Sequence, residues 1–125
     1  MPGGLEGLLV YQKAVAAEDA VSAILSRTLF RQHVELREQL DEASARVPNH
    51  ISEGYGQKTD RHFSHFVFLA RGEAQEMQGH LRSAHVRRCI SEDELHDLQA
   101  RYEEVAKMLS GLARHLRRED RKFRA

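Results

Sequence analysis

Residues 91–116 read SEDELHDLQARYEEVAKMLSGLARHL, and this stretch decides the fold. Leu95, Leu98, Tyr102, Val105, Leu109, Leu112 and Leu116 recur at alternating steps of three and four, the spacing that lines one side of an α-helix. Polar and charged residues fill most of the positions between them, so the opposite side suits water. Ser91 stands three residues before Glu94. In that pairing the hydroxyl and the carboxylate each satisfy the other's backbone N–H and open a helix. A helix with one apolar stripe is stable only against partners that carry stripes of their own.

Three such stripes lie upstream. The nearest is Phe63, Phe66, Ala70, Ala74, Met77, Leu81 and Ala84, with Thr59 as its cap and Gly54 and Gly56 ending the helix before it. That preceding helix carries Leu36, Leu40, Ala43 and Val47 and continues to Ile51. The first stripe is Val10, Ala14, Ala17, Val21 and Ile24. Continued in phase it would bury Arg31, Glu35, Glu38 and Glu42, so the chain must turn between Ser26 and His33 without Gly or Pro. The pattern predicts one domain over 1–125, with helices over roughly 5–27, 33–55, 60–88 and 92–119. Short connections make successive helices antiparallel neighbours, giving an all-α, up-down four-helix bundle. Pro48 falls inside the second helix. Its missing N–H and the crowding of the Ser44 carbonyl predict a kink there.

A chain of 125 residues, 41% hydrophobic and 30% charged, buries a core without disulfide or metal. No apolar run approaches the roughly 20 residues of a membrane span. The start Met1-Pro2-Gly3-Gly4 lacks the regions of a secretory signal, and Cys89 is alone; both point to the cytoplasm. Formal net charge is zero, so no global field gathers nucleic acid. Charge is nevertheless uneven. From residue 111 onward Arg114, Arg117, Arg118, Arg121, Lys122 and Arg124 face only Glu119 and Asp120. These six are candidate nucleic-acid contacts. They equally suit the negative end of a helix dipole. Arg82, Arg87 and Arg88 with His85 make a smaller patch at the end of the third helix.

Catalytic patterns are weak. Di-metal bundles need Glu-x-x-His pairs on two helices, and only Asp93-x-x-His96 comes near, where a carboxylate simply complements a helix start. Glu76 and His80 read as a surface pair one turn apart. His62 and His65 lack a second pair of ligands. Cys89 has no activating base, and Gly54-x-Gly56 follows no strand and lacks the lysine of a phosphate loop. The expectation is a protein without enzymatic activity, metal or cofactor.

Phe66-Val67-Phe68-Leu69 makes the third helix apolar nearly all round, more than one bundle needs, so self-association is expected through these four residues. His65, Gly72 and Gly79 recur every seven residues and form a narrow track where another backbone fits.

The stretch Val47-Pro48-Asn49-His50-Ile51-Ser52-Glu53-Gly54-Tyr55-Gly56 resembles the Ile-Pro-x-Asn-Ile-Ala-Glu-Gly signature of a bacterial four-helix-bundle family. That family includes proteins encoded in intervening sequences of large-subunit ribosomal RNA genes, and accessory proteins of diversity-generating retroelements are related. The resemblance extends to Tyr11-Gln12-Lys13-Ala14, Thr59, Phe63, Leu69-Ala70, Gly72 and Glu76. It marks Pro48, His50, Ile51, Glu53, Gly54 and Gly72 as signature positions. The chain departs from the pattern at His50, where the family has Asn, and at Arg46, His62 and Glu73. The resemblance implies a ring of five bundles with RNA, DNA or a reverse transcriptase as partner. The function expected is therefore a non-catalytic, homo-oligomeric scaffold, pentameric by resemblance and associated with nucleic acid. A protein–protein adaptor that binds no nucleic acid is the alternative.

Overall fold

The computed structural model describes residues 3–124; Met1, Pro2 and Ala125 lie outside the described residues. The described residues form four α-helices: α1 (Leu9–Ser22), α2 (Val34–Tyr55), α3 (Asp60–Val86) and α4 (Glu92–Arg124). Short 3-10 turns occupy Gly4–Gly7 and Thr28–Gln32, and no strand occurs among the described residues. The all-α fold is therefore as expected. α1 packs on α2, α2 on α3, α3 on α4 and α4 on α1, so the four stripes close around one core. Residues late in one helix meet residues early in the next. Gly54 of α2 abuts Phe63 and Phe66 of α3, and Gln99 Nε2 of α4 donates to the Gln78 carbonyl of α3 at 3.2 Å.

Helix limits differ from expectation mainly at both ends of α1 and at the end of α4: α1 begins at Leu9 and not at residue 5, the chain ahead of it forming the Gly4–Gly7 turn. α1 stops at Ser22 instead of reaching residue 27, because the chain turns early to bury Ile24, Leu25 and Phe30 over the end of the core. α4 continues past residue 119 to Arg124, supported by Asp120–Arg124 (3.1 Å) and Glu119–Lys122 (3.4 Å) pairs on its last turns. Two stripes also shift by one residue. In α3, Ser64 and Val67 take the buried positions, while Phe63 and Phe66 are half-buried. α2 comes in close here, with Gly54 standing against both Phe63 and Phe66. In α4, small Ala113 is buried and Leu112 half-buried.

The close approach is quantitative at Gly54. A Cβ there would lie 2.8 Å from Phe63 Cδ1, 2.8 Å from Phe66 Cβ and 3.2 Å from the Phe63 carbonyl oxygen. Ala is worth up to about 1 kcal/mol over Gly as a helix former, but overpacking costs about 1–3 kcal/mol. Because Phe66 Cβ moves only with its backbone, the steric cost wins. Gly54→Ala is expected to lower the denaturant midpoint; an unchanged or higher midpoint would contradict this packing. Gly56 plays no conformational role of this kind, since its φ of −77° is open to any residue.

Caps fix the connections. The Thr59 hydroxyl accepts from His62 N–H at 3.2 Å. The last turn of α3 ends with Arg88 at φ 64°, in the left-handed region. Cys89 N–H reaches back to Ala84 O and Arg88 N–H to His85 O, both at 2.9 Å, closing that helix end. The expected reciprocal box opens α4: Ser91 N–H donates to Glu94 Oε1 (2.9 Å) and Glu94 N–H to Ser91 Oγ (3.1 Å). Glu94 also receives both terminal nitrogens of Arg27, and Arg27 Nη1 reaches the Cys89 carbonyl at 3.2 Å.

These donors, Arg27 first and the Ser91 N–H second, hold the Glu94 carboxyl at about 2, against an ordinary value of 4.5. A depressed carboxyl stabilises the fold above the unfolded value and loses that contribution as pH falls through the folded one. Stability should therefore drop between about pH 4.5 and 2. Both side chains are partly in water, so the ion pair itself is weak. Glu94→Ala should cost about 1 kcal/mol near neutral pH through the lost cap, and the deficit should shrink toward pH 2 in acid titrations followed by circular dichroism.

Candidate nucleic-acid interface

The six cations expected to contact nucleic acid lie on the last turns of α4, and the structure divides them. Lys122 is held by Glu119 and Arg124 by Asp120. Arg114, Arg117, Arg118 and Arg121 have no carboxylate partner among the described residues. At spacings of three and four these four arginines fall within an arc of roughly 100° on α4, and all are exposed. The paired two are less available to a phosphate; the unpaired four are the basic face.

This face meets the start of α3. Lys58, Thr59 and Asp60 line one depression with Phe123 and Arg124. Arg61, His62 and His65 line the next with Phe68 and Arg117. Arg61 thus joins the α4 cluster, a juxtaposition across two helices that spacing along the chain does not reveal. The Arg82, Arg87, Arg88 and His85 patch lies at the other end of α3, beside the start of α4.

Of the four consecutive apolar residues of α3, Val67 is fully buried and packs the core. Phe66 is half-buried beside Gly54. The surface contribution narrows to Phe68, 36% exposed, and Leu69, 39% exposed. These two diverge, one residue being about 100° of helix turn. Phe68 leans toward α4: the guanidinium carbons of Arg71 on its own helix and Arg117 on α4 stand 5.2 and 5.0 Å from its ring centre. Such contacts contribute about 0.5–1 kcal/mol each at exposed sites. Leu69 shares the outward side of α3 with Gly72, where a Cβ would meet no atom within 4 Å.

Three of the signature positions, Pro48, Ile51 and Gly54, pack inside the bundle. Ile51 is fully buried, Pro48 and Gly54 are buried, and Glu53 is exposed with its carbonyl receiving Gln57 Nε2 at 3.0 Å. α2 continues as helix through Pro48, and the buried Ser44 hydroxyl donates to the Asp41 carbonyl at 2.9 Å. His50 lies with its ring 6.4 Å from that of Phe66 and its buried Nδ1 unpaired. Close by, Glu73 Oε2 is buried without a hydrogen bond, Arg46 Nη1 standing 4.0 Å away. Burial, then the Glu76 carboxylate, raises the Glu73 carboxyl above its ordinary value. The residues that depart from the signature at 46, 50 and 73 therefore gather at one place between α2 and α3. Sequence separation hides this grouping.

Elsewhere, burial pushes the Cys89 thiol above its ordinary value, which disfavours the nucleophilic thiolate. No group of three or more His, Cys, Asp or Glu side chains converges as a metal site among the described residues. No helix among them is long and apolar enough to cross a membrane. No curated protein and no solved structure matches the chain significantly. The family described as 23S rRNA-intervening sequence protein matches residues 6–111, a span that includes all of α1 to α3 and about three-fifths of α4, together with the Pro48 to Gly54 signature. By that match the chain belongs to the 23S rRNA-intervening sequence protein family.

Proposed function

We propose that this chain is a non-catalytic scaffold that assembles with copies of itself and holds nucleic acid on the basic face of α4. The observation that carries the nucleic-acid part is the group of four arginines, Arg114, Arg117, Arg118 and Arg121, left without carboxylate partners on one side of a helix. A chain of zero net charge that concentrates free cations at one place favours a local polyanion over general stickiness. The family match ends at residue 111, before these arginines, so the nucleic-acid reading rests on the face itself.

Assembly proceeds through the outward side of α3. Leu69 offers apolar contact, while Gly72 and Gly79 have open space where a Cβ would stand and so let a neighbouring backbone approach. A ring of five is the assembly that the family resemblance implies. Repetition of a four-arginine face around a ring multiplies weak contacts into useful affinity. The site is cytoplasmic in this reading, and no cofactor takes part.

Fluorescence anisotropy with labelled RNA and DNA across a salt series tests the function, alongside molar mass by light scattering. Binding at about 50 mM salt that weakens steeply toward 200 mM is expected. Absence of binding, or binding indifferent to salt, would remove the nucleic-acid part. A particle of 14.3 kDa at every concentration would remove the assembly. Retention of a protein partner from nuclease-treated lysate, with no oligonucleotide binding, would favour the adaptor reading, which the exposed Leu69 and Phe123 support.

A further inference from the structure

The cleft between α3 and α4 has a composition that phosphate binding alone does not require. Its floor is the Phe68 ring, with Arg71 and Arg117 close to it. On one side of Phe68 the cleft opens beside Arg61 and His65, with a volume of about 480 Å³. A second depression of about 400 Å³ lies further along the same two helices between Arg71 and Arg114, and Arg71, close to the Phe68 ring, links the two. The carboxylates that border it are already engaged: Glu103 by Lys107 at 3.2 Å and Asp120 by Arg124 at 3.1 Å. Arg61, Arg71, Arg114 and Arg117 therefore enter the cleft without a carboxylate partner among the described residues; Arg71 Nη1 makes one neutral contact, to Ser110 Oγ at 3.3 Å.

Planar cations and an aromatic ring in one cleft are the complement of a planar base joined to a phosphate chain. Arg61 and Arg71 are ten residues apart on one helix, or about 15 Å. That length suits a segment of about four nucleotides, the low end for a single binding module. A duplex keeps its base faces stacked inside and offers none to a ring set between two helices. A single strand offers them freely.

We infer that the Phe68 cleft is a stacking site for single-stranded nucleic acid, with one base on the Phe68 ring and neighbouring phosphates on Arg61, Arg71, Arg114 and Arg117. The inference rests on the nucleic-acid reading above and adds to it the strandedness of the ligand and the aromatic contact. In the free protein the arginines lie close to the ring. When a strand enters, the exposed Arg117 exchanges its weak contact with the ring for a charge-assisted pair with phosphate, and the base takes its place. Stacking is indifferent to base identity, so the site reads strandedness and not sequence.

The test uses the full chain with labelled oligouridine, oligothymidine and a duplex of equal length. Either single strand should bind more tightly than the duplex, the comparison of the two separating an RNA from a DNA preference. Phe68→Leu should weaken single-strand binding about 5- to 100-fold while leaving the salt slope intact. Arg117→Gln should reduce that slope by about 0.7. A strand carrying 5-iodouracil should photocrosslink to Phe68. Light scattering on each variant checks that assembly is unchanged. Binding that is lost in Arg118→Gln and Arg121→Gln but unaltered in Phe68→Leu, with crosslinks elsewhere, would overturn the cleft and leave the proposed function standing. No binding by the unaltered protein would end both. A changed particle mass in Phe68→Leu would make Phe68 an assembly contact and overturn the stacking site.

Discussion

Phe30→Ala is expected to lower the unfolding free energy by about 3–5 kcal/mol, a cost set by the removed ring and the cavity it leaves. Phe30 is fully buried although it belongs to a five-residue 3-10 turn and not to any of the four long helices. With Ile24 and Leu25 it closes the end of the core where α1 gives way to α2. The surrounding turn is tied down by backbone bonds from Phe30 N–H to Arg27 O (3.1 Å) and His33 N–H to Phe30 O (3.0 Å). The turn therefore cannot collapse freely into the void. Each kcal/mol is worth about 3–6 °C of melting temperature in a domain of this size, so the expected loss is about 9–30 °C. A drop of only a degree or two in calorimetry would show that the ring does not plug the core.

Leu109→Ala should be nearly as severe, at about 2–5 kcal/mol, because Leu109 is fully buried where α4 faces the other helices. The informative comparison is Leu112→Ala. Leu112 is only half-buried, its neighbour Ala113 being turned inward, so it loses less contact on truncation. Denaturant curves for the two variants should separate clearly. Equal losses would restore the uninterrupted leucine stripe and contradict the shift to Ala113.

How much of this was legible depends on how one-sided each segment is. α4 has charged residues between its apolar ones, so its phase is readable to Leu109; beyond that Leu112 and Ala113 compete, and spacing alone does not choose between them. α3 offers apolar residues on every side at Phe66 to Leu69, and periodicity cannot choose among them. Gly54 on another helix stands against Phe63 and Phe66, a contact that spacing along α3 does not reveal. Phe30 carries no periodic signal because its turn is too short to have one. The capping box of Ser91 and Glu94 is local chemistry and is readable; the Arg27 that grips the same Glu94 comes from 67 residues away and is not. The basic face shows the same division. Four arginines could be read along α4, whereas the approach of Arg61, Phe68 and Arg71 exists only once α3 lies beside it.

α1 is the shortest of the four helices, and the side chains it buries are Val10, Ala14, Ala17 and Val21. Two alanines leave it with less apolar area against its neighbours than α2, α3 or α4, each of which buries at least two residues of leucine size or larger. Its far end is fastened, Arg37 Nε gripping the Leu25 carbonyl at 2.9 Å. Its beginning at Leu9 has no side-chain cap. Amide protons of α1 should therefore trade with deuterium earlier than those of α3 and α4, beginning at Leu9. The molecule would breathe by peeling this helix from its amino end while the other three stay together.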